Sequence, residues 1–405
     1  MKNLLVGQSG GPTSVINASL AGVIKKGIES RKIGEILGTV NGIEGILNDN
    51  IISLDDFTPE RIALLKQTPS SYLGSCRKKL PDAEKDEDIY KKIFDTFKKH
   101  NVGYFLYIGG NDSMDTVKKL SAYAADKNID IQVIGVPKTI DNDLFLTDHT
   151  PGFGSAAKFI VNSIRQLALD TDVYDMKSVV ILEIMGRNAG WLTAAAALAN
   201  SDKLNPVDII CLPEVTFSPE KFIEKLKNVM KKKSTTIIAV SEGIKDEDER
   251  YIAECGDIKR AEDDGFAHAA LGGVGKTIEK LISDELGIKT RSIELSTLQR
   301  CFSLAGSKVD VEEAFAVGSF AIELAENGKT AVMAGFKRVS DKPYAIELAP
   351  FDINDVANFE KGIPKDMIAE DGLGVNEKFI AYAKPLIAGE LPLIFDEGLI
   401  QFEIR

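Results

Sequence analysis

One recurring order of elements constrains the fold of this chain most. A short apolar segment is followed by a glycine turn and then by a helical pattern, and this order repeats along the first half of the sequence. Residues 2–6 are mainly apolar, a glycine-rich turn follows, and residues 15–28 carry apolar side chains at helical spacing. The same order returns at residues 102–108, and residues 131–136 form another apolar segment that ends at Pro137. Strands that alternate with helices in this way predict a parallel sheet covered on both faces.

The later part of the chain continues this alternation, so a second sheet is expected. The expected elements are strands at residues 177–184, 208–212 and 235–241, an alanine-rich helix ending near residue 199, an alternating segment at residues 291–299 and a helix at residues 310–326.

The chain has 405 residues, more than a single hydrophobic core usually accommodates. We therefore expect an α/β protein of two Rossmann-like lobes with mainly parallel sheets and the active site in the cleft between them. Residues 1–150 should form the first lobe, completed by about residues 291–350. Residues 151–290 should form the second lobe, completed by C-terminal segments, and residues 351–405 should be a C-terminal extension.

The net charge of the chain indicates which classes of partner it can bind. The chain has 49 Lys and Arg against 61 Asp and Glu, a net charge of -12, which argues against nucleic acid or an anionic membrane as the main partner. The first residues lack the layout of a signal peptide, and no apolar run is long enough to span a bilayer. We expect a cytoplasmic protein that attracts any anionic substrate through a local cluster of cations.

Histidine and cysteine offer little to a catalytic site. The sequence has 3 histidines, and its 4 cysteines lie far apart without the spacing of a zinc or redox pair. The chemistry should therefore depend on carboxylates, lysine and arginine.

Two glycine turns are candidates for binding phosphate. Gly10 and Gly11 follow the first strand, and Gly110 follows a later one, so that backbone N–H groups could approach phosphate oxygens there. Next to Gly110, Asn111 and Asp112 could hold magnesium directly or through water. The alternatives are that these glycines serve only the turn, and that the polar residues cap the following helix.

A third turn combines a cation with two carboxylates. Lys138, Thr139, Ile140, Asp141 and Asp143 follow the strand at residues 131–136. A sugar hydroxyl is a poor nucleophile, so phosphoryl transfer needs a carboxylate to take its proton and cations to spread the charge on the moving group. Asp141 could be that base, with Asp143 orienting it or a metal-bound water. An ordinary Asp-Asn-Asp turn is the alternative.

These segments together resemble the 6-phosphofructokinase family, in the same order from residue 1 to about residue 310. The segments that carry the resemblance are Ser9-Gly10-Gly11 with Asn17-Ala18, Ile108 to Ser113, Pro137 to Asp143, Met185-Gly186-Arg187, Glu242-Gly243, and Arg291 with Leu298-Gln299-Arg300.

The resemblance implies a role for each candidate residue. Asp141 would be the catalytic base, acting with Asp112 and Lys138 in the catalytic set. The donor would be bound by Gly10, Gly11, Arg77 and Gly110, and the sugar phosphate by Thr139, Ile140, Asp143, Met185, Gly186, Arg187, Glu242, Arg291, Thr297 and Arg300. Arg291 would reach the sugar's phosphate across a subunit interface, so a homodimer or homotetramer is implied. Any one arginine taken singly could instead be a surface salt-bridge residue.

The resemblance further implies Mg²⁺ as cofactor and fructose 6-phosphate as acceptor, with fructose 1,6-bisphosphate and phosphate as products of a reversible reaction. Asn111 stands where most relatives have an aspartate associated with the metal, so either its amide oxygen would ligate the metal weakly or Asp112 would take over. The rival interpretations are an ATP-dependent enzyme and a catalytically silent regulatory subunit.

Two residues favour pyrophosphate over ATP as the donor. ATP-using relatives have glycine in place of Asp112 and commonly in place of Lys138. A carboxylate at 112 would repel the α-phosphate of a nucleotide, since like charges about 4 Å apart repel by roughly 4 kcal/mol at an effective dielectric near 20. Lys138 would neutralise charge on the leaving phosphate.

Residues 272–277, Gly-Gly-Val-Gly-Lys-Thr, invite comparison with a phosphate-binding P-loop. That motif needs a glycine five places before Gly275, and Ala270 stands there. We therefore predict that the segment lies inside a helix.

Overall fold

The computed structural model describes residues 1–255 and 272–405. The strands in these ranges are β1 (Lys2–Gln8), β2 (Ile33–Thr39), β3 (Ile51–Ser53), β4 (Val102–Gly109), β5 (Gln132–Pro137), β6 (Ser178–Ile184), β7 (Val207–Cys211), β8 (Thr235–Ser241), β9 (Lys289–Glu294), β10 (Val332–Asp341), β11 (Tyr344–Asp352), β12 (Phe395–Asp396) and β13 (Leu399–Ile400).

The α-helices are α1 (Ile16–Glu29), α2 (Gly42–Leu47), α3 (Pro59–Gln67), α4 (Glu87–Lys99), α5 (Asn111–Asp126), α6 (Phe153–Thr171), α7 (Trp191–Ala195), α8 (Pro219–Val229), α9 (Val274–Leu286), α10 (Leu298–Cys301), α11 (Lys308–Glu326), α12 (Ile353–Val356) and α13 (Glu377–Ala383). Short 3₁₀ turns cover Ala196–Ala199, Ile252–Cys255, Ser303–Ala305, Lys365–Met367 and Lys384–Ile387.

The chain divides into two units, each assembled from separate segments. The first unit contains Met1–Ser155, Arg300–Glu360 and Gly389–Arg405, and the second contains Ala156–Gln299 and Lys361–Ala388. The residues after 350 are thus shared between the two units.

The first unit is built on a seven-stranded sheet in the order β11-β10-β5-β4-β1-β2-β3. The five inner strands run parallel, and the edge strands β3 and β11 are antiparallel to their neighbours. The central strands β4 and β5 are almost continuously apolar, as a sheet buried on both faces requires. One core cluster lies around Phe105 and Tyr107, and another lies around Leu106 and Ile108, because alternate residues of a strand point to opposite faces.

The second unit is built on a parallel four-stranded sheet in the order β7-β8-β6-β9. Its core includes Ile181, Ile209 and Ile238 together with residues of α8 and α9. The predicted α/β class with mainly parallel sheets is therefore confirmed in both units.

Several predicted boundaries shift for local reasons. The helix after β4 begins at Asn111 rather than Met114, because Gly110 already serves as its N-cap. The alanine-rich helix α7 ends at Ala195 and continues as a 3₁₀ turn. The segment predicted to alternate at residues 291–299 is a strand only up to Glu294 and becomes helical at Leu298.

The prediction that residues 272–277 lie inside a helix is wrong at its start. Gly273 has a positive φ of 90° and is the N-cap of α9, which begins at Val274. The carboxylate of Glu183 accepts the N–H groups of Gly273 at 3.0 Å and Gly275 at 2.8 Å. A protein carboxylate thus occupies the helix terminus where a P-loop would hold phosphate. Ala270, on which the comparison depended, lies outside the described residues.

No helix in residues 1–255 or 272–405 is long and apolar enough to cross a membrane.

Candidate active site

The three predicted turns of the first unit lie at one edge of its sheet. Gln8 of β1 pairs with Ile108 of β4, and Gly109 of β4 pairs with Pro137 of β5. The carboxyl ends of three parallel neighbouring strands therefore stand side by side. The glycine turn, the Asn111-Asp112 turn and the 138–143 loop follow from them.

Lys138 lies against the glycine turn. Its side chain is 2% exposed, and its Nζ donates a hydrogen bond of 2.5 Å to the carbonyl oxygen of Gly11. A Cβ atom at Gly10 would lie 3.4 Å from this Nζ, and a Cβ atom at Gly11 would lie 3.2 Å from Nη1 of Arg300. Glycine at position 10 accommodates a positive φ of 75°, and glycine at position 11 lets the guanidinium group of Arg300 approach the backbone closely.

The charge of Lys138 is balanced by its neighbours. Burial lowers the pKa of Lys138 to about 8, while Asp141 and Asp143 act to raise this pKa and Arg300 and Arg77 act to lower it. The structure thus brings together three predicted cations and two predicted carboxylates of the first unit. A cluster of this kind can bind a small polyanion and spread negative charge.

The loop that carries Asp141 is fixed by its own hydrogen bonds. Thr139 Oγ1 donates to Asp141 Oδ2 at 3.3 Å and accepts the backbone N–H of Asp141 at 3.1 Å. Asn142 is fully buried with a positive φ of 55°, and its Oδ1 accepts the N–H of Thr150 at 3.0 Å. Ile140 is 6% exposed, so its side chain belongs to the core rather than to a polar binding surface.

The electrostatic setting of Asp141 suits a base. Burial raises its pKa above the usual value, a hydrogen bond from Thr139 and the charge of Lys138 oppose the rise, and the charge of Glu360 adds to it. A carboxylate with a raised pKa accepts a proton more readily than an ordinary aspartate.

The Asn111-Asp112 turn begins helix α5. Asp112 has a side chain 45% exposed and forms an ion pair of 3.3 Å with Lys79, whose side chain is 59% exposed. Asn111 Nδ2 donates to the carbonyl oxygen of Phe359 at 3.0 Å, and its Oδ1 accepts the N–H of Asn358 at 2.7 Å. Both polar atoms of Asn111 therefore contact the backbone of the 358–359 turn.

The segment before Arg77 is held by buried amides. Gln8 Nε2 donates to Asn17 Oδ1 at 2.9 Å, and Gln8 Oε1 accepts the N–H of Leu73 at 2.9 Å. Ser75 Oγ donates to the carbonyl oxygen of Gly10 at 2.6 Å. These contacts fix the segment before Arg77 to the glycine turn, although the Arg77 side chain itself is exposed.

The predicted acceptor residues of the second unit meet at the ends of β6 and β8. The N–H of Gly186 donates to Glu242 Oε1 at 3.3 Å, and the N–H of Met185 donates to Gln299 Oε1 at 3.2 Å. A Cβ atom at Gly243 would lie 1.9 Å from the carbonyl oxygen of Arg187, so only glycine permits this approach. The loop of residues 185–187 is thereby fixed between two polar side chains.

Two predicted residues of the second unit lie outside this group. Arg291 is exposed on β9 and pairs in register with Val180, four residues before the end of β6. Thr297 is also exposed. The structure therefore leaves Arg291 away from the edge at which Met185 and Glu242 meet.

The sequence did not point to Gln299 and Glu360 as individual site residues. Gln299 lies inside the resembling segment Leu298-Gln299-Arg300, and the structure shows that it is 2% exposed and holds Met185 through its Oε1. Glu360 lies in the segment of residues 358–364, which resembles longer members of the family, but its relation to Asp141 depends on contacts between distant segments.

Known proteins resemble this chain in both sequence and fold. A family model described as phosphofructokinase matches residues 3–325. A pyrophosphate–fructose 6-phosphate 1-phosphotransferase of Xanthomonas campestris pv. campestris is 42% identical, over 99% of this chain and 95% of its own. Its counterpart from Halomonas elongata is 41% identical over 98% of this chain and 94% of its own. The crystal structure of a pyrophosphate-dependent phosphofructokinase from Nitrosospira multiformis superposes with a TM-score of 0.90 at 38% identity, covering 99% of this chain and 95% of that one.

Proposed function

The chain belongs to the phosphofructokinase family, and we propose that it transfers a phosphoryl group from pyrophosphate to the 1-hydroxyl of fructose 6-phosphate. The products are fructose 1,6-bisphosphate and phosphate, and the reaction is reversible. The observation that carries the proposal is the buried Lys138, whose Nζ lies on the Gly10-Gly11 turn within a cluster of opposite charges.

In the donor half, pyrophosphate binds at the glycine turn. Backbone N–H groups at Gly10, Gly11 and Gly110 approach its oxygens, and Arg77 adds a guanidinium group. Lys138 neutralises the charge that develops on the leaving phosphate as the bridging P–O bond breaks. A nucleotide would bring an additional ester group and its adenosine toward the Asp112 turn.

In the chemical step, Asp141 takes the proton of the sugar's 1-hydroxyl while the hydroxyl oxygen forms its bond to phosphorus. The electron pair of the broken P–O bond leaves on phosphate, so atoms and charge balance. Thr139 and Asp143 lie beside the transferred group, and Thr139 fixes the orientation of the base.

The residues at the donor turn fit a magnesium ion that is held mainly by substrate. Among residues 1–255 and 272–405 no group of three acidic, histidine or cysteine side chains could hold a metal ion. Asp112 offers one half-exposed carboxylate, and Mg²⁺ is commonly bound by one or two carboxylates together with substrate phosphates and water. When bound, the ion supplies charge neutralisation at the phosphate oxygens. Asp112 would hold it directly or through water.

In the acceptor half, Met185, Gly186, Arg187 and Glu242 bind fructose 6-phosphate, with Thr297 and Arg300 at the following turn. Arg291 is exposed on a strand away from this group, which is compatible with a contact to the substrate of a second subunit. A homodimer or homotetramer in the cytoplasm is part of this proposal.

The test is a coupled assay of the purified protein with fructose 6-phosphate, Mg²⁺ and either pyrophosphate or ATP. Turnover should require pyrophosphate. Equal turnover with ATP would contradict the donor assignment, and no turnover with either donor would favour a silent regulatory subunit that binds sugar phosphate.

A further inference from the structure

The contacts of Asn111 differ from those of a metal ligand. Its Oδ1 accepts the backbone N–H of Asn358 at 2.7 Å, and its Nδ2 donates to the carbonyl oxygen of Phe359 at 3.0 Å. An amide nitrogen does not ligate a cation, and the short hydrogen bond from Asn358 uses one of the two lone pairs of the amide oxygen, so that at most one remains for a metal. The side chain thus makes a two-point contact with one peptide segment.

We propose that Asn111 is a positioning residue, which holds residues 358–360 against the catalytic loop so that Glu360 stands beside Asp141. This inference rests on the proposed function, since it concerns the base of that reaction. It assigns a functional role to Glu360 and removes Asn111 from the metal site.

We call the two hydrogen bonds between Asn111 and the backbone of residues 358–359 the clamp. A second contact on the same face of α5 supports it. Asn358 Nδ2 donates to Asp115 Oδ1 at 2.8 Å, and Asp115 lies four residues after Asn111, on the same side of the helix. Asp115 is 4% exposed and its other oxygen lies 2.8 Å from Nζ of Lys119. The Asn358 side chain therefore reaches a carboxylate that is itself fixed.

The backbone of the segment is shaped for this contact. Asn358 has a positive φ of 69°, a conformation that asparagine tolerates better than most residues. Just before it, Val356 and Ala357 are buried in the same core cluster as Met114 of α5. Apolar packing thus brings the segment to α5, and Asn111 then fixes where the chain turns.

The clamped segment contacts the loop that carries the base. Glu360 forms an isolated antiparallel bridge with Leu144, and the rings of Phe359 and Phe145 lie 5.9 Å apart. Leu144 and Phe145 follow Asp141 by three and four residues. The backbone at Glu360 is therefore held through Asn111 on one side and Leu144 on the other.

The charge of Glu360 acts on the base. Burial is the largest cause that raises the pKa of Asp141, and the charge of Glu360 adds to it, whereas the hydrogen bond from Thr139 and the charges of Lys138 and Arg300 lower this pKa. A higher pKa makes Asp141 a stronger base for a sugar hydroxyl. The clamp thus serves catalysis by keeping a negative charge at a fixed place near the base.

The sharpest test replaces Asn111 with aspartate. A ligand role predicts that Asn111→Asp retains turnover and lowers the Mg²⁺ concentration for half-maximal rate. The clamp predicts the opposite, because an oxygen would replace Nδ2 and face the carbonyl oxygen of Phe359. We expect kcat to fall by about ten- to a hundredfold, since a misplaced group can cost about a hundredfold, with the Mg²⁺ requirement unchanged. Full turnover or tighter Mg²⁺ dependence in Asn111→Asp would overturn the proposal.

A double-mutant cycle separates positioning from a general loss of stability. In Glu360→Gln the acidic limb of the kcat/KM profile with pyrophosphate should move to lower pH, because the charge that raises the pKa of Asp141 is gone. Asn111→Ala should move the limb in the same direction, and the double variant should move it no further than either single change. If the shifts of the acidic limb in the two single variants add up in the double variant, or if the limb does not shift in Glu360→Gln, the proposed link between Asn111 and Glu360 is refuted.

The control is Glu347→Gln, which removes an exposed carboxylate from β11 and should leave the limb in place. Thermal melting of each variant confirms folding. If the parent protein has no turnover with pyrophosphate, the proposed function fails. If the parent protein shows turnover with pyrophosphate but the shifts of the acidic limb are additive in the double variant, only the role of Asn111 fails.

Discussion

Nζ of Lys138 lies 2.5 Å from the carbonyl oxygen of Gly11, so a buried ammonium group closes the glycine turn that follows the first strand. A buried ammonium group is costly unless it has partners, and here Asp141 and Asp143 supply opposite charge. In the proposed function, the charge of this one side chain would act both on the choice of donor and on the leaving phosphate.

The first prediction concerns the basic limb of the pH profile. Burial lowers the pKa of Lys138 to about 8, so the free enzyme loses this positive charge as the pH rises through that value. We expect kcat/KM for pyrophosphate to fall above this pH, as measured in the coupled assay. In Lys138→Arg the guanidinium stays charged, so the limb near pH 8 should disappear even if the rate is lower. If the basic limb of the kcat/KM profile stays at the same pH in Lys138→Arg, the limb belongs to another group.

The second prediction concerns the base. Asp141→Asn keeps the shape of the side chain but removes its ability to take a proton. We expect kcat to fall by roughly 10²- to 10⁴-fold, the usual range for a general base. Calorimetric titration with fructose 6-phosphate should show nearly unchanged affinity. Unchanged turnover would remove Asp141 from this role.

The third prediction concerns a buried ion network behind the catalytic loop. His149 Nδ1 lies 2.8 Å from Asp148, and its Nε2 lies 2.7 Å from Glu313. Arg338 approaches Asp148 at 3.0 Å, and the Tyr344 hydroxyl donates to Glu313 at 2.7 Å. Burial alone would lower the pKa of His149, but the hydrogen bonds to both carboxylates outweigh it and raise the pKa.

A histidine pKa raised by folding stabilises the native state fully below its unfolded value of about 6.5. That stabilisation is lost as the pH rises through the folded pKa. In His149→Asn the carboxylates keep their contacts to Arg338 and Tyr344 but lose the charged imidazole, so we expect a loss of roughly 3 kcal/mol at and below pH 6.5 and a smaller loss at higher pH. Thermal melting of both proteins across this range measures the difference. A gap that stays constant with pH would mean that His149 is neutral in the folded protein.

The donor turns could be anticipated from the sequence because their grouping follows from topology. Parallel strands end at one edge, so turns after β1, β4 and β5 had to meet once the strands were identified. Local rules also indicated that glycine at 10 and 11 permits a close approach, although the sequence did not say that Lys138 and Arg300 would make it.

What the sequence could not provide are contacts between segments far apart in the chain. Asn111 and Asn358 are 247 residues apart, and no pattern near either residue predicts their hydrogen bond. The error at residues 272–277 has a similar origin. Glu183, 92 residues before Gly275, supplies the carboxylate that fixes the start of α9, so the helix begins where a local pattern suggested its interior.

The structure also reduces the repulsion that we attributed to Asp112. Its carboxylate is about half exposed and paired with Lys79, so water and the lysine screen it. At a dielectric near that of water, two charges about 4 Å apart repel by only about 1 kcal/mol, compared with roughly 4 kcal/mol in a partly buried setting. Asp112 alone should therefore shift donor preference by about five- to tenfold rather than decide it.

The most direct test of the account is the ratio of kcat/KM for pyrophosphate to kcat/KM for ATP, measured at saturating fructose 6-phosphate and Mg²⁺. The parent protein should favour pyrophosphate strongly, Asp112→Gly should lower the ratio by about tenfold, and the additional change Lys138→Gly should lower it further. Asp112→Asn, which keeps the size of the side chain, separates charge from bulk and should behave like Asp112→Gly. A parent protein that uses ATP as well as pyrophosphate, or a ratio unchanged in the double variant, would contradict the claim that these two charges select the donor.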